Sequence, residues 1–132
     1  MEHAQRRGVN VKGDEILAAY VWIAKLVDVR QDGSGFNISE GILRRYYQEA
    51  QSPSAAEKVY EIHIELWPTS MVFFKRHRIR LEISSSNFPR FDRNPNTGNM
   101  IASEVNVISA KQTVRHGSEY PSRLVLPIIP PR

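Results

Sequence analysis

Short runs that alternate apolar and polar side chains recur along the chain, separated by clusters of turn-forming residues. AYVWIAKLVDV, from Ala19 to Val29, departs from alternation: Lys25 and Asp28 are its only charges, which predicts a central strand covered on both faces for most of its length. QDGSG then predicts a tight turn, because Asp32-Gly33 and Ser34-Gly35 supply the positive φ angles such a turn needs. VYEIHIELW, from Val59 to Trp67, sends Tyr60, Ile62, Ile64 and Leu66 to one face and Glu61, His63, Glu65 and Trp67 to the other. RHRIRLEISSS repeats the pattern with Ile79, Leu81 and Ile83 inward and Arg78, Arg80, Glu82 and Ser84 outward. The Glu and Arg rows of these two strands are expected to pair if the strands are neighbours.

ISEGILRRYYQEA is ambiguous: Ile42, Leu43, Tyr46 and Tyr47 fit an amphipathic helix, whereas Gly41 and the paired tyrosines suit a strand. Strand is the reading adopted. SPSAAEK reads as a loop with a helical turn from Ser54 to Lys58, capped by Ser54. VNVISAKQTV and SRLVLPII supply two further apolar runs, the second broken by Pro127 in the manner of an edge strand. About six strands with Pro- and Asn-rich loops between them predict an all-β sandwich. No repeat is visible, and the only shift in composition is a polar stretch before Ile16, so the 132 residues are read as one domain.

The chain has no cysteine, which excludes a disulfide framework and thiolate metal sites and favours a cytoplasmic location. The N-terminal residues lack the apolar core of a secretory signal, and no run is long enough to span a membrane. The net charge of +4 invites a nucleic-acid reading. Basic and acidic residues are interspersed, however, and in the densest run, KRHRIR from Lys75 to Arg80, Ile79 turns inward between two arginines, so nucleic acid is the weaker reading.

The chemistry expected of an enzyme is missing. There is no G-x-S-x-G elbow, no phosphate-cradling glycine loop, and no metal-ligand spacing among His3, His63, His77 and His116. Asp28, Asp32, Glu40 and Asp92 are read as solvated or salt-bridged carboxylates rather than an acid–base pair. Trp22 is assigned to the core, and Trp67 is a candidate for stacking on a ligand. No cofactor or metal is expected.

SSSNFPRFDRNPNTG, from Ser84 to Gly98, concentrates stiff and charged residues in one loop. Phe88 and Phe91 are expected to plug the end of the sandwich, Pro89 and Pro95 to restrict the backbone, and Asn96 and Gly98 to take turn positions. Asp92, between Arg90 and Arg93, is expected to centre an ion-pair and hydrogen-bond knot that fixes the loop. With AKLVDV, SEGILRRYY, VYEIHIELWPTSMVF and HGSEYPSRLVLPIIP, this loop resembles the C-terminal domain of the X-Pro dipeptidyl-peptidase and cocaine esterase family of bacterial serine hydrolases. The resemblance covers roughly Tyr20 to Pro130.

The resemblance implies a jelly-roll β-sandwich of galactose-binding-like shape that packs against an α/β-hydrolase domain. The Ser, Asp and His triad lies on that other domain, so no residue here is assigned a catalytic role. The implied role is that of an accessory or interaction domain, with loop residues Phe88, Arg90, Phe91, Asp92, Arg93 and Asn94 at the interface. Residues 1–19 do not match the family's opening strands, as in a truncated or stand-alone copy whose sandwich lacks them. The open sheet edge is then expected either to pair with a second copy as a homodimer or to be filled by residues 8–19. Arg76 stands where the family tends to place glycine, which strains the turn if φ there is positive. A carbohydrate-binding module, with Trp67 as its platform, is the alternative from a different class.

Overall fold

The computed structural model describes residues 8–14, 19–46, 59–97 and 104–129. All regular structure among these residues is strand: β1 (Gly8–Asp14), β2 (Ala19–Val29), β3 (Gly35–Tyr46), β4 (Val59–Ile64), β5 (Arg78–Ser84), β6 (Thr113–Arg115) and β7 (Arg123–Val125). The strands form two antiparallel sheets. In the first, β2 is flanked by β3 and β5. In the second, β1 has β4 along one side and β6 and β7 end to end along the other.

Burial of apolar side chains between the sheets joins them into the sandwich expected from the strand pattern. Trp22, Ala24 and Leu26 of β2 meet Ile62, Ile64 and Leu66 of the β4 segment, with Leu43, Leu81, Ile83 and Leu124 packed around them. Each fully buried Ile or Leu contributes about 1.5–3 kcal/mol. On the opposite face of β2, Val21, Ile23, Val27 and Val29 are buried as well, so both faces of this strand are covered. The unbroken apolar run of β2 is the sequence counterpart of that double burial.

A bulge interrupts the β2–β3 ladder. Leu26 pairs with Ser39 but Val27 pairs with Asn37, leaving Ile38 as an extra residue on β3. Residues three apart in a regular strand point to opposite faces; the bulge restores Asn37 and Glu40 to the same face. The turn between β2 and β3 forms with Gly33 at φ 87° as expected, and Arg30 N–H donates to the Ser34 carbonyl at 2.8 Å, but Gly35 takes no positive φ and instead pairs with Val29 as the first residue of β3. Ser34 donates to Asp32 Oδ1 from both its N–H (2.9 Å) and its hydroxyl (2.6 Å). These bonds hold the Asp32 carboxyl below its ordinary pKa. The small stabilisation they give is therefore present above the ordinary carboxylate range and is lost as pH falls through the lowered value.

Several expectations are corrected. β4 and β5 lie in different sheets, so their Glu and Arg rows do not face each other. Arg80 instead pairs with Glu82 of its own strand at 2.9 Å, and Lys25 of β2 stands opposite Glu82. Ile79 shares the core-facing side with Leu81 and Ile83 as expected, but it is 53% exposed. Of VNVISAKQTV only Thr113 and Val114 enter a strand, and the preceding stretch leaves Val105, Val107 and Ile108 exposed. The helical turn expected at 54–58 lies outside the described residues. Gly8–Asp14, within the stretch 8–19 named as one way to fill the sheet, forms the central strand of the second sheet, pairing Val9 to Asp14 with Ile64 to Val59.

Two backbone positions are informative. Gly41 is buried where a Cβ would meet the carbonyl of Glu65, so β3 and the chain after β4 touch main chain to main chain. Arg76 has φ 69° in a turn closed by His77 N–H donating to the Phe74 carbonyl at 3.0 Å. This is the strained position anticipated from the sequence, since a side chain in the left-handed region costs about 1–2 kcal/mol.

Two substitutions check this account. Arg76→Gly should raise stability by about 1 kcal/mol, the relief of strain being partly offset by a more flexible unfolded chain. A urea midpoint that rises with unchanged m-value would show it. Gly41→Ala should destabilise by about 2 kcal/mol or more, because two backbones must separate; a midpoint equal to wild type would refute the close approach.

Candidate functional site

The loop that leaves β5 does not plug the end of the sandwich. Glu40 on β3 stands opposite Lys25, on the outer face of the first sheet, and it receives hydrogen bonds from two loop residues. Arg90 Nε donates to Glu40 Oε1 at 2.8 Å and Asn87 Nδ2 donates to Oε2 at 3.0 Å. Because β2 lies between β5 and β3, the loop crosses β2 on this outer face, the side on which Val21 and Ile23 are buried. It acts as a strap.

Glu40 is the centre of the site. Its side chain is 14% exposed, and besides the two loop donors it accepts from Asn37 Nδ2 at 3.2 Å, a contact the β3 bulge makes possible. Its backbone carbonyl accepts from Trp67 N–H at 3.0 Å, and Ser39 Oγ donates to the Trp67 carbonyl at 2.6 Å. The Arg90 guanidinium lies 5.6 Å from the Trp67 ring and 5.8 Å from the Phe91 ring, within cation–π range. Trp67 and Phe88 remain 58% and 66% exposed. The downstream half of the loop is tied by Asn96, whose N–H donates to Asn94 Oδ1 at 3.1 Å and whose Nδ2 donates to the Ile108 carbonyl at 2.9 Å. Ile108 N–H donates in turn to the Pro95 carbonyl at 2.9 Å. Asn96 has φ 60°, the turn position expected of it; Gly98 lies outside the described residues.

The sequence reading located the loop but not its centre. Asp92 and Arg93 are exposed, and Arg90 turns away from Asp92 to Glu40, 50 residues earlier. Phe88 points outward and Phe91 is half-buried beneath Arg90, so neither fills the end of the core. An isolated exposed carboxylate between two arginines gains little, whereas one sheltered on a sheet face and given several donors gains more. No spacing in the sequence signals the pairing of residues 37, 40, 87 and 90.

A second long-range pair was also missed. His77 Nδ1–H donates to the buried carboxylate of Asp28, with Oδ2 at 2.8 Å and Oδ1 at 3.0 Å, and the Phe74 ring meets the imidazole edge-on at 5.7 Å. Aspartate and histidine form two thirds of a hydrolase triad. Here, among the described residues, no hydroxyl bonds to Nε2, and the pair ties the start of β5 to the end of β2. Among the described residues no group of three or more His, Asp or Glu could hold a metal ion.

The profile of the X-Pro dipeptidyl-peptidase C-terminal non-catalytic domain matches residues 12–125. The chain belongs to this family. A cocaine esterase from Rhodococcus sp. (strain MB1 Bresler) is 45% identical over 111 residues, a match that takes in 80% of this chain and 19% of that protein. The chain thus spans about a fifth of the length of its relative. The match to the X-Pro dipeptidyl-peptidase C-terminal domain begins at residue 12, within β1. It includes Glu40, Trp67 and the whole strap. Among the described residues no helix is long and apolar enough to cross a membrane.

Glu40→Ala should destabilise the domain by about 2 kcal/mol, since it removes the acceptor of three side-chain donors. Asp92→Ala should change stability by less than about 0.5 kcal/mol. Chemical denaturation of both variants would test the assignment, and equal effects would return the centre of the loop to Asp92.

Proposed function

We propose that the chain is an accessory domain that docks against an α/β-hydrolase catalytic domain through the strap and Trp67, with no turnover of its own. One observation carries this reading: Glu40 fixes the loop while Trp67 and Phe88 are held out into solvent beside Arg90. Exposed aromatic and arginine side chains on a rigid base are the composition of an interface core. A pre-ordered loop also loses little entropy on docking. The similarity to a cocaine esterase supports a hydrolase as the partner, and dipeptidyl-peptidase or ester hydrolysis as the activity of the assembled protein. The cysteine-free composition is compatible with a cytoplasmic setting.

The exposure of Trp67 also favours a second reading, a carbohydrate-binding surface, because an accessible indole can stack on a sugar ring. Arg90 already covers part of that ring, which weighs against it.

Trp67 fluorescence separates the two, Trp22 being buried and insensitive. Titration with a separately expressed hydrolase domain of the family should shift the Trp67 emission to the blue. Trp67→Ala and Phe88→Ala should each weaken the complex by about 2 kcal/mol. A response to glycans in place of the hydrolase domain would favour the sugar reading. Hydrolysis of p-nitrophenyl esters or X-Pro-nitroanilides by the purified chain at an enzyme-like rate would sink the accessory role.

A further inference from the structure

Val29, the last residue of β2, pairs with Gly35 at the start of β3 and with Arg78 at the start of β5. The hairpin turn at Gly33 and the Phe74–His77 turn therefore project from one end of the first sheet. One pair further in, Asp28 lies between Phe36 and Ile79, and side chains at paired positions share a face. His77 covers Asp28, Phe74 sets its ring against His77, and the Arg30 guanidinium lies 3.7 Å from the centre of the Phe36 ring. Phe73 is packed against the core and anchors the segment that carries its neighbours Val72 and Phe74, 67% and 65% exposed. With Phe36 and Ile79 they give this end a set of exposed large apolar side chains.

The same end is basic. Arg30, Lys75, Arg76 and Arg78 are exposed, and none of them forms an ion pair among the described residues. The acids close by are engaged: Asp28 holds His77, Glu82 holds Arg80, and Asp32 is bound by both donors of Ser34, with Arg30 acting on it through charge alone. We infer that this end is a membrane-contact tip that seats on the surface of an anionic phospholipid bilayer. Phe74, Val72, Phe36 and Ile79 enter the interfacial layer, and the four cations lie against the headgroups.

Both halves of the tip contribute. Cations near an anionic leaflet gain from its negative surface potential, but salt screens that attraction. Apolar side chains pushed into the headgroup boundary add burial that salt does not remove. Lys and Arg suit the join between the two, because their stems lie along apolar surface while their charges stay among the headgroups. The aliphatic side chains decide the kind of partner. Val72 and Ile79 offer no flat face to a nucleic-acid base, and Arg30 already occupies one face of Phe36, whereas a bilayer accepts apolar side chains of any shape. Two projecting turns also reach a flat surface without needing a matching cleft. The docking surface proposed above is separate: Glu40 stands opposite Lys25, well back along β2 from Val29.

Co-sedimentation of the full chain with vesicles tests the proposal. Wild type should pellet with vesicles of equal parts phosphatidylcholine and phosphatidylserine, much less with phosphatidylcholine alone, and more weakly as salt is raised. Lys75→Ala and Arg78→Ala should each weaken binding about fivefold, and Phe74→Ala about tenfold or more. Each of these side chains is exposed, so urea midpoints close to wild type should show that the variants fold. Arg123→Ala removes a cation from β7 of the second sheet and should change binding by less than about twofold. Failure to pellet with the anionic vesicles overturns the inference, as does equal binding to phosphatidylcholine alone. So does a Phe74→Ala variant that binds like wild type, or an Arg123→Ala variant as impaired as Lys75→Ala, since either reduces the contact to net charge. Tighter binding to single-stranded oligothymidine than to the anionic vesicles at the same salt overturns it in favour of nucleic acid.

Discussion

The main chains of β3 and of the segment after β4 meet at Gly41, where a side chain would run into the carbonyl of Glu65. Much of the site follows from that approach. It brings the Glu40 carbonyl to Trp67 N–H and the Ser39 hydroxyl to the Trp67 carbonyl, fastening a strand of one sheet to the chain leaving the other. Packing of Trp22 and Leu26 against Ile62 and Ile64 supplies most of the stabilisation, but hydrophobic burial is non-directional. Each hydrogen bond contributes only about 0.5–1.5 kcal/mol, and yet these bonds decide where Trp67 stands.

Charge is used in two different ways. Asp28 is buried and satisfied by His77 alone among the described side chains, so it joins two strands at the cost of desolvating a carboxylate. Glu40 is sheltered rather than buried and collects donors from its own strand and from the strap. The first pair fixes the sandwich. The second fixes a surface, and in doing so leaves Trp67 and Phe88 uncommitted to the core. The family is described as non-catalytic, and the docking role proposed for this surface rests on those outward aromatic side chains.

The strand pattern was legible where local alternation and burial agree. β2, β4 and the hairpin turn at Gly33 lie where their residues place them, and the ambiguous segment at Gly41 is a strand. The strain at Arg76 was legible too, because a turn imposes its φ whatever residue occupies it. β1 was hard to see: Val9 and Val11 offer a short alternation between glycines, and its strand character comes from pairing with β4, β6 and β7. The run before Thr113 erred the other way, since β-branched residues do not make a strand without a neighbour to pair with.

By itself the sequence determined the all-β class, the faces of the long strands, and, through SSSNFPRFDRNPNTG and its companion blocks, the family. Those properties reside in short stretches of chain, where the period of the side chains and the identity of turn residues are sufficient. Only the tertiary structure decided which strands share a sheet, that Glu40 and not Asp92 holds the strap, and that His77 answers Asp28. Period-two alternation says which way a side chain points but not which strand lies beside it. An ion pair depends on distance in space, and the partners here lie 49 and 50 residues apart in sequence.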